Sequence, residues 1–350
     1  MSQARLFFIT LAALLALGFL WGYVQQTDST LSPSWQGDGA DIAPQRTRQR
    51  DLRTQRYEKV WQISPDGEIP IYGGATFKVD PYRQHVYVVD YGDLRIKEFD
   101  ADGKPLRVYG EGKGQGPGQF VSITDFSFTP DGKLWTADTA AGRINVFGPD
   151  GKQERQIKSE YQPYRLAVLP GKGFVSMLNA VDDRLFASFN DAGALAHRFG
   201  NLLEDQARLF IALDGYIEPV GEDGFVYAGR YAGILGSWKL DGTQRFLVRT
   251  LDARPLPKVL RNESLLRLDP TAIGSTITPS IDGGNFYSAS FVLEGLRPKG
   301  VIDIYSPDTG EYRHSLTIPE ACTWLRVMGG DVYTLSENLT ITRWRMVGPA

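Results

Sequence analysis

Cysteine is almost missing from this sequence of 350 residues, which contains Cys322 and no other cysteine. An intramolecular disulfide and a metal cluster held by several thiolates are therefore excluded, and so is haem attached through a Cys-x-x-Cys-His motif. Histidine is nearly as scarce, because His85, His197 and His314 are the whole complement. They are too scattered to indicate a zinc site built from imidazoles.

An excess of either charge is also missing, since 38 basic residues stand against 41 acidic ones and the formal net charge is −3. A balance this close to neutral gives no reason to expect binding to nucleic acid. Hydrophobic residues make up 42% of the sequence, which is enough for a sizeable core and argues against global disorder.

One long apolar run occurs, at residues 6–24, after a single positive charge. As a helix it would be about 28 Å long, close to the thickness of a bilayer core. We therefore expect residues 1–24 to be a signal anchor that contacts the membrane through residues 6–24, with a cleaved signal peptide as the alternative. The bulk of the chain would be anchored at the inner membrane and lie in the periplasm or extracellular space, or be secreted after cleavage.

Residues 25–56 are polar, with five arginines between Arg46 and Arg56, and show no apolar period. This pattern predicts a linker between the membrane segment and a folded domain at residues 57–350.

From residue 57 onward, short alternating runs are separated by turns that often contain Asp-Gly. This dipeptide supplies the positive φ angles of tight hairpins, so the spacing favours antiparallel meanders over a sheet with crossover helices. The Asp-Gly turns are Asp66-Gly67, Asp102-Gly103, Asp131-Gly132, Asp150-Gly151, Asp223-Gly224 and Asp241-Gly242.

The strands group into units of roughly 40–60 residues with four strands each, the pattern of a β-propeller. We predict an all-β, six-bladed propeller of four-stranded antiparallel blades, with seven blades as the alternative count. The first five units cover residues 76–109, 123–157, 164–199, 216–250 and 277–318. The sixth, from residue 322, shows three strands, and residues 58–64 (EKVWQIS) are expected to supply its fourth strand and close the ring.

A polar pair recurs at a spacing of five residues between the second and third strands. The pairs are Asp90 with Arg95, Asp138 with Arg143, and Asn179 with Arg184. An arginine fork at this position can bridge a carboxylate and backbone carbonyls, so repetition of the pair indicates a structural role.

Residues 114–152, GQGPGQFVSITDFSFTPDGKLWTADTAAGRINVFGPDGK, resemble an NHL repeat, with a glycine-rich loop ending in Gly-Gln-Phe, an Asp-Gly turn, a terminal strand Asp, then Arg-Ile and an aromatic residue. The segment VYVVDYGDLRIKEFDADGK resembles the core of the same repeat. The resemblance implies a six-bladed propeller, usually a scaffold that binds protein, nucleic acid or small molecules.

The longest connections all fall on one predicted face of the ring, where insertions commonly mark the binding side. They are residues 110–120, 200–215, 251–276 and 292–299. Helical turns are expected at residues 202–213 and 262–268. Binding-face candidates are Gln115, Gln119, Glu294, Arg297 and Lys299; the alternative is that these insertions merely cover the central channel.

Residues 110–120 lead into a strand rather than a helix, so they do not indicate a phosphate-binding loop. The enzyme alternative is a metal-dependent lactonase or esterase. Asp125, Glu218 and Asp282 fall in or near first strands and could converge on the channel as calcium ligands. We favour an exported binding scaffold with a protein or small-molecule partner and no cofactor, apart from calcium under the enzyme alternative.

Overall fold

The computed structural model describes residues 29–178, 183–262, 265–276, 278–294 and 297–349. Helical structure in these residues is short: α1 (Gln206–Leu209) and 3-10 turns at Gly37–Gly39, Thr139–Ala141 and Phe210–Leu213. The expected membrane anchor at residues 6–24 lies outside the described residues. Within them, no helix has the length and apolarity needed to cross a membrane.

Four sheets of four antiparallel strands follow each other between residues 75 and 249, each in meander order. We call them sheets I to IV. Sheet I contains β4 (Ala75–Val79), β5 (Val86–Asp90), β6 (Arg95–Phe99) and β7 (Pro105–Tyr109); sheet II contains β8 (Ile123–Phe128), β9 (Leu134–Asp138), β10 (Arg143–Phe147) and β11 (Gln153–Lys158). Sheet III contains β12 (Pro163–Leu169), β13 (Gly173–Leu178), β14 (Phe186–Phe189) and β15 (Leu195–Phe199); sheet IV contains β16 (Gly215–Val220), β17 (Gly224–Gly229), β18 (Ile234–Lys239) and β19 (Gln244–Arg249).

Sheets V and VI recruit strands from the amino-terminal part of the chain. Sheet V contains β22 (Pro279–Asp282), β23 (Asn285–Glu294), β24 (Arg297–Tyr305) and β25 (Tyr312–Thr317), with β2 (Leu52–Arg53) beside β25. Sheet VI contains β26 (Trp324–Met328), β27 (Asp331–Leu335), β28 (Ile341–Pro349) and β3 (Gln55–Ile63). A separate three-stranded sheet contains β1 (Ser29–Leu31), β20 (Val259–Asn262) and β21 (Leu265–Leu268).

The second strand of sheet I shows why the sheets stack face to face. Alternate side chains of a strand point to opposite faces. In β5, Val86 and Val88 belong to the apolar cluster shared with sheet VI, whereas Tyr87 and Val89 belong to the cluster shared with sheet II. Similar clusters join sheets II and III, III and IV, IV and V, and V and VI. The sheets are therefore buried on both faces, as in a β-propeller.

Sheet VI is assembled from two distant parts of the chain, as expected from the sequence. Strand β3 pairs antiparallel with β28, so that Ile63 lies opposite Ile341 and Glu58 lies opposite Arg345. Tyr57 anchors the same strand to sheet V, because its hydroxyl donates a hydrogen bond of 2.5 Å to the carbonyl of Thr317.

Residues 29–53 form a strap across the outer strands of sheets IV and V, which differs from the linker expected for residues 25–56. Ala43 forms a parallel bridge with Val248 of β19, and β2 pairs in parallel with β25. The strap covers edges that would otherwise expose unpaired backbone groups. Its apolar residues Leu31, Trp35 and Ile42 pack against the cluster between sheets III and IV.

The insertion before sheet V also differs from its prediction. Where helical turns were expected at residues 262–268, the strands β20 and β21 pair antiparallel, and β20 also pairs with β1 of the strap, with Ser29 opposite Arg261. The turns expected at residues 202–213 are present as α1 and the 3-10 turn that follows it.

Candidate functional site

The first strands of sheets I to VI, namely β4, β8, β12, β16, β22 and β26, line a central channel. Polar side chains on these strands hold the backbone of the next sheet. The Asp125 carboxylate accepts a hydrogen bond from the Leu166 amide at 2.9 Å, and the Ser280 hydroxyl accepts one from the Val327 amide at 3.1 Å. Such bonds satisfy amides on an edge strand that has no backbone partner.

Four charged side chains meet inside the channel. The Lys78 ammonium lies 2.8 Å from Asp125 Oδ1 and 3.2 Å from Glu218 Oε1, and Arg326 Nη1 lies 2.5 Å from Glu218 Oε1. Lys78, Asp125 and Arg326 are each less than 9% exposed. Two cations and two anions therefore neutralise each other inside the channel.

Of the three carboxylates considered as calcium ligands, the structure brings Asp125 and Glu218 together but not Asp282. Asp282 instead accepts a hydrogen bond from the Gly330 amide at 3.0 Å. The Lys78 ammonium contacts both Asp125 and Glu218. Calcium would instead require six to eight oxygen ligands around the ion. Among the described residues, no group of three or more His, Cys, Asp or Glu side chains is arranged to hold a metal ion. The residues present do not fit calcium.

One end of the channel widens into a funnel of about 400 Å³. It opens on the loop-rich face, which carries residues 110–120 and 200–214. Half of its lining residues are aromatic or cationic. The lining residues are Thr76, Tyr91, Leu94, Val121, Ser122, Ile123, Thr124, Tyr164, Arg165, Tyr216, Arg230 and Trp324.

Arg165 is the central cation of the funnel. Its Nε donates to the Gly215 carbonyl at 2.8 Å and its Nη1 donates to the Thr124 carbonyl at 2.9 Å, which joins sheets II, III and IV. Its guanidinium carbon lies 4.1 Å from the ring centroid of Tyr164 and 4.7 Å from that of Tyr216, within cation–π range. Although burial alone would lower the pKa of Arg165, the surrounding phenols and carboxylates raise it, so Arg165 is a permanent cation.

Arg230 adds a second positive charge, and both arginines approach one carboxylate. Asp214 lies 3.3 Å from Arg230 and 3.5 Å from Arg165. Burial raises the pKa of Tyr164 to about 12, so its phenol is neutral at physiological pH. Two arginines against one aspartate leave the funnel with a net positive charge.

The glycine loop at residues 110–120 is held by the predicted pair in sheet II. Arg143 Nε lies 3.0 Å from Asp138 Oδ2, while Nη1 and Nη2 donate to the carbonyls of Gln115 and Gln119 at 3.0 and 2.7 Å. The Gln119 side chain accepts a hydrogen bond from the Gly116 amide at 3.0 Å, whereas Gln115 is exposed. Of these two binding-face candidates, Gln115 is therefore the more exposed, and Gln119 uses its side-chain oxygen within the loop.

Sheet I uses a different partner at the equivalent position. Asp90 forms an ion pair with Lys97 and accepts a hydrogen bond from the Tyr72 amide at 2.7 Å. Arg95 lies opposite Asp90 in the strand register, but its buried Nε has no hydrogen-bond partner. The expected Asp90–Arg95 side-chain bridge is therefore replaced by Asp90–Lys97.

Two further sets of predicted residues are placed only in part. Asn179 lies outside the described residues, and Arg184 contacts the adjacent Asp183 at 3.1 Å. For Glu294, Arg297 and Lys299 the backbone alone is described, at the turn end of the hairpin β23–β24, where Glu294 lies opposite Arg297. The sequence analysis missed the funnel residues Arg165, Arg230 and Trp324, because none of them belongs to the repeating motif.

Comparisons with solved structures return proteins of similar architecture and low sequence identity. A Bacteroides fragilis NCTC 9343 protein, assigned as exported, gives a TM-score of 0.57 at 9% identity, over 88% of this chain and 99% of that one. Virginiamycin B lyase from Staphylococcus aureus gives a TM-score of 0.51 at 12% identity, over 83% of this chain and 100% of that chain. The WD40 repeats of RRP9 give a TM-score of 0.50 at 13% identity, over 91% of this chain and 100% of that chain.

No protein-family model matches the chain, and no curated protein matches it in sequence. Structural likeness at such low identity speaks for the fold alone, since one fold hosts many functions. The sheets, the clusters between them and these likenesses together identify the chain as a β-propeller protein.

Proposed function

We propose that this protein is an exported, membrane-anchored binding module that takes its ligand in the funnel on the loop-rich face. The observation that carries this proposal is Arg165, a permanent cation between the rings of Tyr164 and Tyr216 at the mouth of the channel. Fixed cations beside aromatic faces suit a ligand that combines a negative charge with an apolar or aromatic group.

The ring in this proposal has six blades, namely sheets I to VI, with β3 closing sheet VI. Support comes from the apolar clusters, since each consecutive pair of sheets shares one and sheet VI shares one with sheet I. The repeat-like segments in sheets I and II are of the NHL kind, which accords with a scaffold role.

The ligand class follows from the funnel's wall. Trp324 and Tyr216 meet edge to face with ring centroids 5.6 Å apart, which leaves an aromatic wall for an apolar group. Arg165 and Arg230 supply the positive side. An aromatic carboxylate, free or at the end of a protein segment, combines both features.

The test measures binding of indole-3-acetate and phenylacetate to the purified protein by calorimetry. We expect saturable binding that weakens about tenfold in Arg230→Ala, because a charged hydrogen bond is removed. The matched control is Arg56→Ala, an exposed arginine on β3 outside the funnel. Absence of saturable binding by folded wild-type protein contradicts the proposal.

The membrane part of the proposal depends on residues 6–24. We expect the full chain to sediment with membranes and to resist extraction at alkaline pH, whereas a chain that begins at residue 25 stays in the supernatant. The mass of the mature amino terminus then separates an anchor from a cleaved signal peptide.

A further inference from the structure

A second cavity, of about 220 Å³, occupies the opposite end of the channel. It opens on the turn face, among the connections between first and second strands that contain Tyr82, Pro170 and Gly221. Sheets I to VI all contribute to its wall, and it shares no lining residue with the funnel. It is therefore a site distinct from the one used in the proposed function.

The cavity wall is divided into an apolar part and a polar part. Phe126, Val168 and Met328 belong to the apolar part, while Lys78, Glu218 and Arg326 supply the charges. A wall of this kind is typical of sites for small amphiphilic ligands, in which a few polar groups fix the orientation of an apolar body.

Arg326 has unused hydrogen-bonding capacity at this site. The residue is 4% exposed, and its Nη1 donates to Glu218 and to the Pro279 carbonyl. Its Nε is buried and has no hydrogen-bond partner. A buried donor without an acceptor is unfavourable, and native structures satisfy nearly all of them with protein, water or a bound group.

Two other arginines of the chain use this edge of the guanidinium to bind a carboxylate. Arg50 uses Nε and Nη2 to grip both carboxylate oxygens of Asp303, and Arg143 uses Nε to bind Asp138. Nε and Nη2 lie on one edge of the guanidinium and match the two oxygens of a carboxylate. In Arg326 the Nε on this edge has no such partner.

We propose that the cavity on the turn face binds a small monocarboxylate. Its carboxylate accepts from Arg326, and its apolar body packs among Phe126, Val168 and Met328. The volume equals about seven liquid water molecules, which limits the ligand to on the order of eight non-hydrogen atoms. Lys78 and Arg326 offset Asp125 and Glu218, so the incoming anion meets no net negative charge.

Hexanoate and pentanoate are the probes, measured by calorimetry and ligand-observed NMR on the full-length protein, because the funnel is proposed to take aromatic carboxylates. Hexanol serves as the neutral analogue of hexanoate. We expect wild-type protein to bind both carboxylates saturably and to bind hexanol at least about tenfold more weakly, because hexanol cannot use the guanidinium fork.

Two variants locate the site. Arg326→Lys keeps the charge beside Glu218 but removes the fork, and we expect about tenfold weaker hexanoate binding. Met328→Trp fills the mouth of the cavity and leaves Arg326 intact, so it tests the site even if the lysine variant fails to fold; we expect it to abolish binding.

Arg230→Ala, in the funnel, separates this proposal from the proposed function. Hexanoate binding within about twofold of wild type in this variant supports a separate site. Binding that is lost in Arg230→Ala but retained in Met328→Trp overturns the proposal. No saturation by either carboxylate, or equal binding of hexanol and hexanoate, overturns it as well.

Discussion

Arg50 and Asp303 lie 253 residues apart in the sequence and form a two-pronged ion pair, with Nε–Oδ1 and Nη2–Oδ2 distances of 2.9 and 3.0 Å. Asp252 contacts the same guanidinium at 3.0 Å, and Ser315 donates to Asp303. The Asp303 side chain is 1% exposed. The strap is thus fixed to sheet V by a buried charge pair and is part of the folded domain.

Arg50→Ala is expected to destabilise the protein by about 3–5 kcal/mol, because it leaves the Asp303 carboxylate buried without its cation. Urea unfolding measures the loss. Cleavage of the native protein by trypsin at Arg46, Arg48 and Arg53 is expected to accelerate at the same time, since the strap loses its anchor. The control is Arg56→Ala, which changes an exposed residue. Its free energy of unfolding is expected to lie within about 0.5 kcal/mol of the wild-type value. Equal stability of the two variants contradicts the role of the ion pair.

Asp138→Ala is expected to destabilise by a similar amount, about 3–5 kcal/mol, because Arg143 is left buried and the Ser122 amide loses its acceptor at 2.7 Å. The matched change in the same sheet is Glu154→Gln, which removes a partly exposed ion pair with Lys133 of 3.0 Å. We expect Glu154→Gln to lower the free energy of unfolding by less than about 1 kcal/mol. Chemical denaturation of both variants checks the contrast, and a small effect of Asp138→Ala would show that the glycine loop does not depend on this pair.

His314 gives sheet V a pH response. Burial lowers the pKa of its imidazole below the usual 6.5, nearby Arg53 lowers it further, and Asp51 acts in the opposite direction. The folded state therefore binds this proton less readily than the unfolded state. Neutral His314 therefore makes its full contribution to the free energy of unfolding above about pH 6.5. This contribution decreases as the pH falls toward the lowered pKa of the folded state. Thermal unfolding between pH 7 and pH 5 is expected to show a shallower decline in His314→Gln than in wild type; parallel curves contradict this assignment.

Gly110 occupies a position where a side chain would be strained. Its φ is +91°, and a Cβ atom there would lie 2.4 Å from the Phe120 ring. Gly110→Ala is expected to destabilise by about 1–3 kcal/mol, from the backbone conformation and the close contact together. Gly73, with nothing within 4 Å of a built Cβ, is the control. Urea midpoints of the two alanine variants should differ clearly, and matching midpoints would refute the steric argument.

Calcium provides a test between the binding module and the metal-dependent hydrolase. Lys78 and Arg326 already neutralise Asp125 and Glu218. We therefore expect the thermal midpoint to be the same in millimolar calcium and in EDTA, because a ligand that binds only the folded state would raise it. A calcium-dependent rise, together with loss of an ester- or lactone-cleaving activity in EDTA, would favour the hydrolase.

Local patterns were sufficient to predict the strands of sheets I and II. Asp-Gly turns such as Asp102-Gly103 and Asp131-Gly132 fix hairpin positions within a few residues of the strands they join. The same reasoning failed for the helical turns expected at residues 262–268, because β20 pairs with β1, more than 200 residues earlier. No local pattern of turns or apolar residues marks a pairing of that separation.

The repeating charge pair shows how a single neighbour changes a correct pattern. Sheet I has Lys97 two residues after Arg95, on the same face of the strand, and this lysine reaches Asp90 diagonally. In sheet II the corresponding residue is Asn145, which cannot form an ion pair, so Arg143 binds Asp138. The motif thus correctly identified the aspartate of each pair as the acceptor. Which cation pairs with it depends on whether the diagonally opposite residue is a lysine, as in sheet I, or an asparagine, as in sheet II.

The functional surface was harder to predict than the fold. Arg165 lies on the first strand of sheet III and Arg230 directly after the second strand of sheet IV, and the two share no repeated motif. Only the ring geometry brings them within reach of the same Asp214 carboxylate. A site assembled from single residues of different repeats leaves no periodic trace in the sequence.

The pairing of β3 with β28 sets the order in which the protein can mature. A ribosome releases Gln55–Ile63 early, and this strand must wait for Ile341–Pro349 before it has a partner. The nascent chain is therefore an open arc with an unpaired strand edge, the kind of edge that pairs wrongly with other chains. The pairing of β3 with β28 can therefore form only late in synthesis. A chain that ends within β28 would keep most of its sheets but would lose the pairing that completes sheet VI.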